Sequence, residues 1–307
     1  MKNTPTGTRQ KIALWDEIKD LHERLLHWYY GKHDRTRALK YCHRLKELLE
    51  EASPDHQAAL GEECWSLIWE LKGNLDEAIR YRKRGIKIIK ALRRKVRPGL
   101  KWLSEVYKPI DLADRLDLLA ILHFEAGQLN KAIQVLRASK KLCQAHRVPF
   151  GGAEMLHDYL IKQGLLLHDR FRYRQALHFF QEAFRVAPQC PAAIYNVANT
   201  LHMLRRNREA HLLLSTLIRR SHAALAAGCS LNPQPGTFKN DALYLMFLVV
   251  LEQKRTWSEA FPYATKHLRS RRRGLTSIWP LRRIRRDIRA LREACSDEMA
   301  IRAWFDS

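Results

Sequence analysis

The stretch RYRQALHFFQEAFRVAP, residues 172–188, sets the fold. Ala176, Phe180 and Ala183 follow one another at intervals of four and three, so they share one face of a helix. Two of the three are small, which suits a place where two helices approach closely. Pro188 falls where that helix must stop. The stretch lies within a unit of 34 residues, 157–190, and a second unit of the same length, 191–224, adjoins it. The same logic returns in GNLDEAIRYRKRGI (73–86) and AGQLNKAIQVLRAS (126–139), each with a turn glycine followed by a helical alanine.

These residues resemble the tetratricopeptide repeat (TPR) family. Its pattern runs small residue, turn glycine, alanine, aromatic, small residue and proline. The unit at Ala176 matches best, with Gly164, Phe180, Ala183 and Pro188, and the units at Ala78 and Ala132 keep Gly73 and Gly127. Aligning on the alanine gives six units, at Ala38, Ala78, Ala132, Ala176, Ala210 and Ala260, separated by 40, 54, 44, 34 and 50 residues. Most units are therefore extended. The resemblance covers residues 15–270 and implies an all-α fold, a helix-turn-helix repeat solenoid of TPR-like, right-handed superhelical form.

Further boundaries come from composition. Residues 1–14 are expected to form a flexible N-terminal segment. VPFGGAE (148–154) breaks the third unit from the fourth, and AAGCSLNPQPGTF (226–238) reads as a loop insertion. Residues 271–307 are expected to be basic capping helices, since a stack of repeats otherwise exposes its last apolar face. There Leu281, Ile284, Ile288 and Leu291 make an apolar stripe, with Arg282, Arg283, Arg285, Arg286 and Arg289 on the other side.

The charge is large and uneven. Fifty-five Lys and Arg against 32 Asp and Glu give a net charge of +23, which attracts polyanions whatever the fold. Residues 1–77 hold 12 basic and 14 acidic side chains, whereas residues 78–147 hold 18 and 5. Much of the excess sits on one helix, where Ala78, Tyr81, Gly85, Ile88, Leu92 and Val96 are expected to face inward. Arg80, Lys83, Arg84, Lys87, Lys90, Arg94 and Arg97 cover the rest. A helix that needs only solubility interleaves both signs, so this strip suggests an anionic partner.

The TPR resemblance implies that the first helix of each unit lines a concave groove. The thirty positions it assigns there hold ten acids and no Lys or Arg. They include Glu23, Tyr30, Glu63, Glu70, Asp114, Asp117, Phe124, Asp158, Tyr195 and Asn199, with Asn196 alongside. Asn196 and Asn199 are placed to bond the backbone of a bound peptide. The basic residues that clasp acidic chaperone tails in one branch of the family are missing.

Catalytic signatures are absent. No GxxxxGK[ST], GxGxxG, HExxH or GxSxG occurs, and the six Cys and 14 His have no ligand spacing, so neither a metal nor another cofactor is expected. No apolar run of about 18 residues exists, and MKNTPTGTRQK has no apolar signal stretch, so a cytoplasmic location is expected. The expected function is a non-catalytic scaffold or adaptor that takes a basic or apolar protein segment in its acidic groove. The alternative is binding of RNA or another polyanion, through the strip at 80–101 and the arginines at 282, 283 and 286. Occupation of the groove by the arginine-rich segment 269–289, of the same or a second chain, is a further expectation, with self-association as its consequence.

Overall fold

The computed structural model describes residues 17–18, 20–25, 27–51, 54–95, 109–220, 235–254 and 256–294. Expectations for residues 1–14, Val96, Arg97, Cys229 and Cys295 fall outside these. The described elements are helices. A π-helical turn, His27–Gly31, precedes α1 (Arg35–Glu51), α2 (Pro54–Leu71), α3 (Leu75–Lys95), α4 (Pro109–Glu125) and α5 (Leu129–His146). Then come α6 (Ala153–His168), α7 (Tyr173–Val186), α8 (Pro191–Met203), α9 (Asn207–Arg219), α10 (Pro235–Lys254), α11 (Trp257–Arg272) and α12 (Leu281–Ala294). No described helix is long and apolar enough to cross a membrane.

The chain forms two compact units, 1–152 and 153–307, which meet within VPFGGAE. The expected 226–238 loop is overlapped at its end by α10, which starts at Pro235, and residues 226–234 lie outside the described residues. Pro suits a first helical turn, where its missing N–H leaves no bond unmade.

The helices are paired as TPR-like hairpins: α2 with α3, α4 with α5, α6 with α7, α8 with α9 and α10 with α11. All six alanines aligned from the sequence are 0% exposed. Twelve residues before four of them stand Ser66, Ala120, Gly164 and Ala198, all small and buried. Small side chains at both places let the paired backbones approach. Ser66 even donates its hydroxyl to the Ala78 carbonyl at 2.8 Å. In the third hairpin of this set the space beside Gly164 is filled by the Phe180 ring, which lies 2.4 Å from where a Cβ on residue 164 would be.

The turns share one geometry. Five residues before five of the alanines, the chain takes positive φ, at His33 (52°), Gly73 (77°), Gly127 (70°), Phe171 (57°) and Arg205 (60°). In four of them the next N–H reaches back five residues, Asn74→Trp69, Gln128→His123, Arg172→Leu167 and Arg206→Leu201, at 2.8–2.9 Å, whereas after His33 it reaches back six, Asp34→Trp28 at 2.9 Å. The five-residue return is the Schellman arrangement that ends a helix on a left-handed residue. Glycine adopts it freely, and a side chain costs about 1–2 kcal/mol there. Phe171 is 78% exposed and recovers little by burial. Phe171→Gly is therefore expected to stabilise the second unit by about 1 kcal/mol, read as a higher denaturation midpoint.

Helix α10 is enclosed on all sides, with residues 241–251 buried. Neighbours α8, α9 and α11 pack against it. The segment after α11 and helix α12 cover more of it. Ile284 and Leu291 of α12 are 0% exposed, Ile288 is half-buried, and the arginines at 282, 283, 285, 286 and 289 are exposed, as the apolar stripe requires. Asp287 falls on the buried side and accepts the Tyr244 hydroxyl at 2.8 Å.

Candidate functional site

The carboxylates expected to line the groove of the first unit divide into two kinds. Glu63 is a structural centre. Helix α2 holds it 6% exposed, where Arg82 of α3 donates at 3.0 Å and Arg115 of α4 approaches at 3.2 Å. Desolvation alone would raise its carboxyl, but Arg115 and Arg82 outweigh that and hold it down at about 2. Arg82 is 2% exposed and stands four residues after Ala78, the place Phe180 has after Ala176. A buried cation at a core position must be matched by a buried anion, and Glu63 is that anion. The expectation that Glu63 faces a partner is corrected accordingly.

Asp117 is likewise turned inward, 7% exposed, on α4. It bonds Ser139 and the Gly152 backbone, and a Cβ on Gly152 would sit 2.8 Å from its carboxylate. Burial pushes this carboxyl up to about 6, against the hydrogen bonds that lower it. Glu70 accepts the Tyr29 hydroxyl, and burial raises its carboxyl. Glu23 and Asp114 are exposed, and Phe124 is half-buried. Tyr30 belongs to the π-helical turn, and its side chain is outside the described set.

In the second unit, α6, α8 and α10 are laced together along the face that the groove assignment names. The Asn199 amide donates to His168 Nε2 at 3.3 Å, joining α8 to α6. Burial lowers the His168 pKa, consistent with the neutral ring this bond requires. Glu252 of α10 receives Asn207 at 2.6 Å and approaches His202 at 3.1 Å, with Arg205 also bonded to it. Burial would raise the Glu252 carboxyl, but His202 and Asn207 hold it down. Tyr195 is another correction. It is 1% exposed, and its hydroxyl accepts the Trp279 indole N–H at 3.1 Å. Ala242, Leu245 and Val249, which are among the thirty first-helix positions that the resemblance points to the groove, are at most 1% exposed within α10.

What stays open on this face is narrower than the sequence implied. Leu165 of α6 and Met203 of α8 are 41% and 43% exposed. Asn196 is half-buried, and its side-chain amide makes no bond among the described residues. Asp158 is half-buried beside His157 at 3.1 Å, and Asp169 is exposed. These residues offer two apolar contacts, one amide and two carboxylates.

The cationic strip is largely as expected. Arg80, Lys83, Arg84, Lys87 and Lys90 are exposed along α3, while Tyr81 is half-buried and stacks on Trp65. Arg80 pairs with Glu77 at 3.0 Å and Arg84 lies 5.4 Å from the Tyr81 ring centre. Lys83, Lys87 and Lys90 have no ion pair among the described residues. The side chains of Arg94 and Leu92 fall outside that set. On α12, Arg282, Arg283 and Arg286 are exposed. Arg286 also lies 3.3 Å from Asp287 and Arg283 lies 3.6 Å from it.

No protein-family model matches the chain, and no curated protein matches it. Solved structures do. PilF of Pseudomonas aeruginosa is 14% identical, with 83% of this chain and 92% of that one covered and a TM-score of 0.41. Acl4, the assembly chaperone of RpL4, is 19% identical, with 81% and 88% covered and a TM-score of 0.41. The TPR2AB domain of yeast Sti1, in a complex with pHSP90, is 12% identical, with 92% and 99% covered and a TM-score of 0.30.

Proposed function

We propose that this chain is a non-catalytic adaptor and that its second unit holds an extended protein segment against the open face of α6 and α8. The carrying observation is the pair of exposed apolar side chains, Leu165 and Met203, on a face that also presents the unbonded Asn196 amide. Exposed apolar contacts give affinity, and a side-chain amide can bond peptide backbone in either direction. Asp158 and Asp169 on the same face favour a segment with a basic residue. The carboxylates with strongly shifted pKa do not argue for catalysis. Glu63 is matched by Arg82 and Arg115, and Asp241 of α10 accepts the Ser277 hydroxyl, so each has an internal partner. A second reading rests on the α3 strip, whose unpaired lysines fit a polyanion such as RNA.

One panel separates these readings. A photo-crosslinking residue at position 203 should capture a protein, and Leu165→Asp with Asn196→Ala should reduce that capture at least tenfold. Reversal of Lys83, Lys87 and Lys90 to Glu should leave that capture unchanged. The same reversal should abolish any salt-sensitive gel shift of generic RNA. Capture that survives Leu165→Asp with Asn196→Ala would overturn the first reading.

A further inference from the structure

Helix α12 does not close flat against α10. A cavity of about 510 Å³ lies beside it, lined by Tyr244, Leu248, Trp279, Arg283, Arg286, Asp287 and Ala290. The cavity is within the range of about 300–1,000 Å³ usual for small ligands. Its α12 wall is set by helical spacing, since residues 283, 286, 287 and 290 recur at intervals of three, one and three along one edge. The opposite wall is apolar and aromatic. Tyr244 and Trp279 stand with ring centres 5.6 Å apart, in an edge-to-face arrangement.

The charges in the lining are definite. Asp287 is buried and accepts from Tyr244 at 2.8 Å. Arg286 reaches it through Nε and Nη2, both at 3.3 Å. Arg283 Nε lies 3.6 Å from it, and the Arg283 guanidinium lies 4.8 Å from the Trp279 ring centre. Two guanidiniums and one carboxylate leave a single positive charge in excess. The Arg283 and Arg286 side chains are 54% and 76% exposed, so their outer N–H groups face the cavity mouth and solvent.

We propose that this cavity binds a monoanion with a flat apolar body, of which an aromatic carboxylic acid is the simplest case. The ring lies among Tyr244, Leu248 and Trp279, and the carboxylate takes the free N–H groups of Arg283 and Arg286. Guanidinium forks match a carboxylate in plane and can bond it twice. A dianionic phosphate is disfavoured, because it brings more negative charge towards Asp287 than the one excess cation offsets. The same carboxylate chemistry can come from a free acid or from the last residue of a peptide, so both sources enter the test.

Isothermal titration of the full chain reads the outcome. 3-Phenylpropionate should bind, 3-phenylpropanamide at least tenfold more weakly, and phenyl phosphate no more tightly than the carboxylate. Arg286→Gln should weaken 3-phenylpropionate at least tenfold in a chain that stays folded, as read by its far-UV circular dichroism. Ala290→Phe should fill the cavity and remove binding, and Arg282→Gln should change nothing. A short peptide ending in free Phe that binds more tightly than the free acid assigns the site to chain ends. The reverse order assigns it to small acids. Equal binding of acid and amide, binding unmoved by Arg286→Gln, or no binding of either acid source would overturn the proposal.

Discussion

Glu63→Ala is expected to destabilise the first unit by about 3–5 kcal/mol, the range found when one partner of a buried ion cluster is removed. The Arg82 side chain is 2% exposed and that of Arg115 is 15% exposed, so neither guanidinium can turn to water when the carboxylate is gone. The check is a denaturant titration at neutral pH, where the midpoint should fall while the slope stays constant. Asp20→Ala is the control. Asp20 pairs with Arg24 at 2.9 Å, but both side chains are more than half exposed, so its loss should leave the midpoint nearly where it was. Acid gives a second readout. The Glu63 carboxyl is held down at about 2, below its ordinary 4.5. Its contribution is therefore present above pH 4.5 and is lost as pH falls towards 2. The gap between wild type and Glu63→Ala should narrow across that window. Replacing Glu63, Arg82 and Arg115 together by Leu should cost much less than Glu63→Ala, because no unmatched charge remains buried. If Glu63→Ala is no worse than Asp20→Ala, the cluster does not hold α2, α3 and α4 together.

Phe180→Ala is expected to cost the second unit a similar amount, about 3–5 kcal/mol. The ring is 1% exposed and sits against the bare backbone of Gly164. Removing it leaves a void between α6 and α7 that their backbones cannot collapse into. Gly164→Ala approaches the same contact from the other side and should cost about 1–3 kcal/mol through crowding. Combining Gly164→Ala with Phe180→Leu should cost less than the sum of the two single changes, by more than about 0.5 kcal/mol. Strict additivity would mean that the close approach at Gly164 does not set the ring position.

The hairpins were legible because their signals are local. A small residue, a left-handed turn and an alanine follow one another within 12 residues, and each has a steric cause that composition reveals. The alanines stayed buried even where the turn lacked glycine, at Phe171 and Arg205, because the Schellman bond holds a non-glycine residue at positive φ. The site was less legible. A position on the first helix says which way a side chain starts, not what meets it. Glu63 read as groove because Arg82, its partner on the next helix, was assigned neither to the inward face nor to the basic strip. The clue was present in the spacing. Arg82 occupies the place after Ala78 that Phe180 occupies after Ala176, and a charge at an aromatic position calls for a mate. Asp287 was passed over for the same reason, as one acid in an arginine-rich helix. Tyr195 could not be judged at all from the local sequence, since Trp279 comes to it from 84 residues away.

The constant twelve-residue distance between the paired small residues has a consequence for how the chain can change. From Ser66 to Ala78 and from Ala198 to Ala210 the count never varies, although the alanines themselves lie 34 to 54 residues apart. In these four hairpins added length therefore lies outside the twelve-residue span, part of it in longer second helices such as α3 and α5. Tags, reporters or grafted peptides spliced into the returns from one hairpin to the next leave each bend intact, whereas one residue inserted within the span rotates an entire helix and turns its dry side outward.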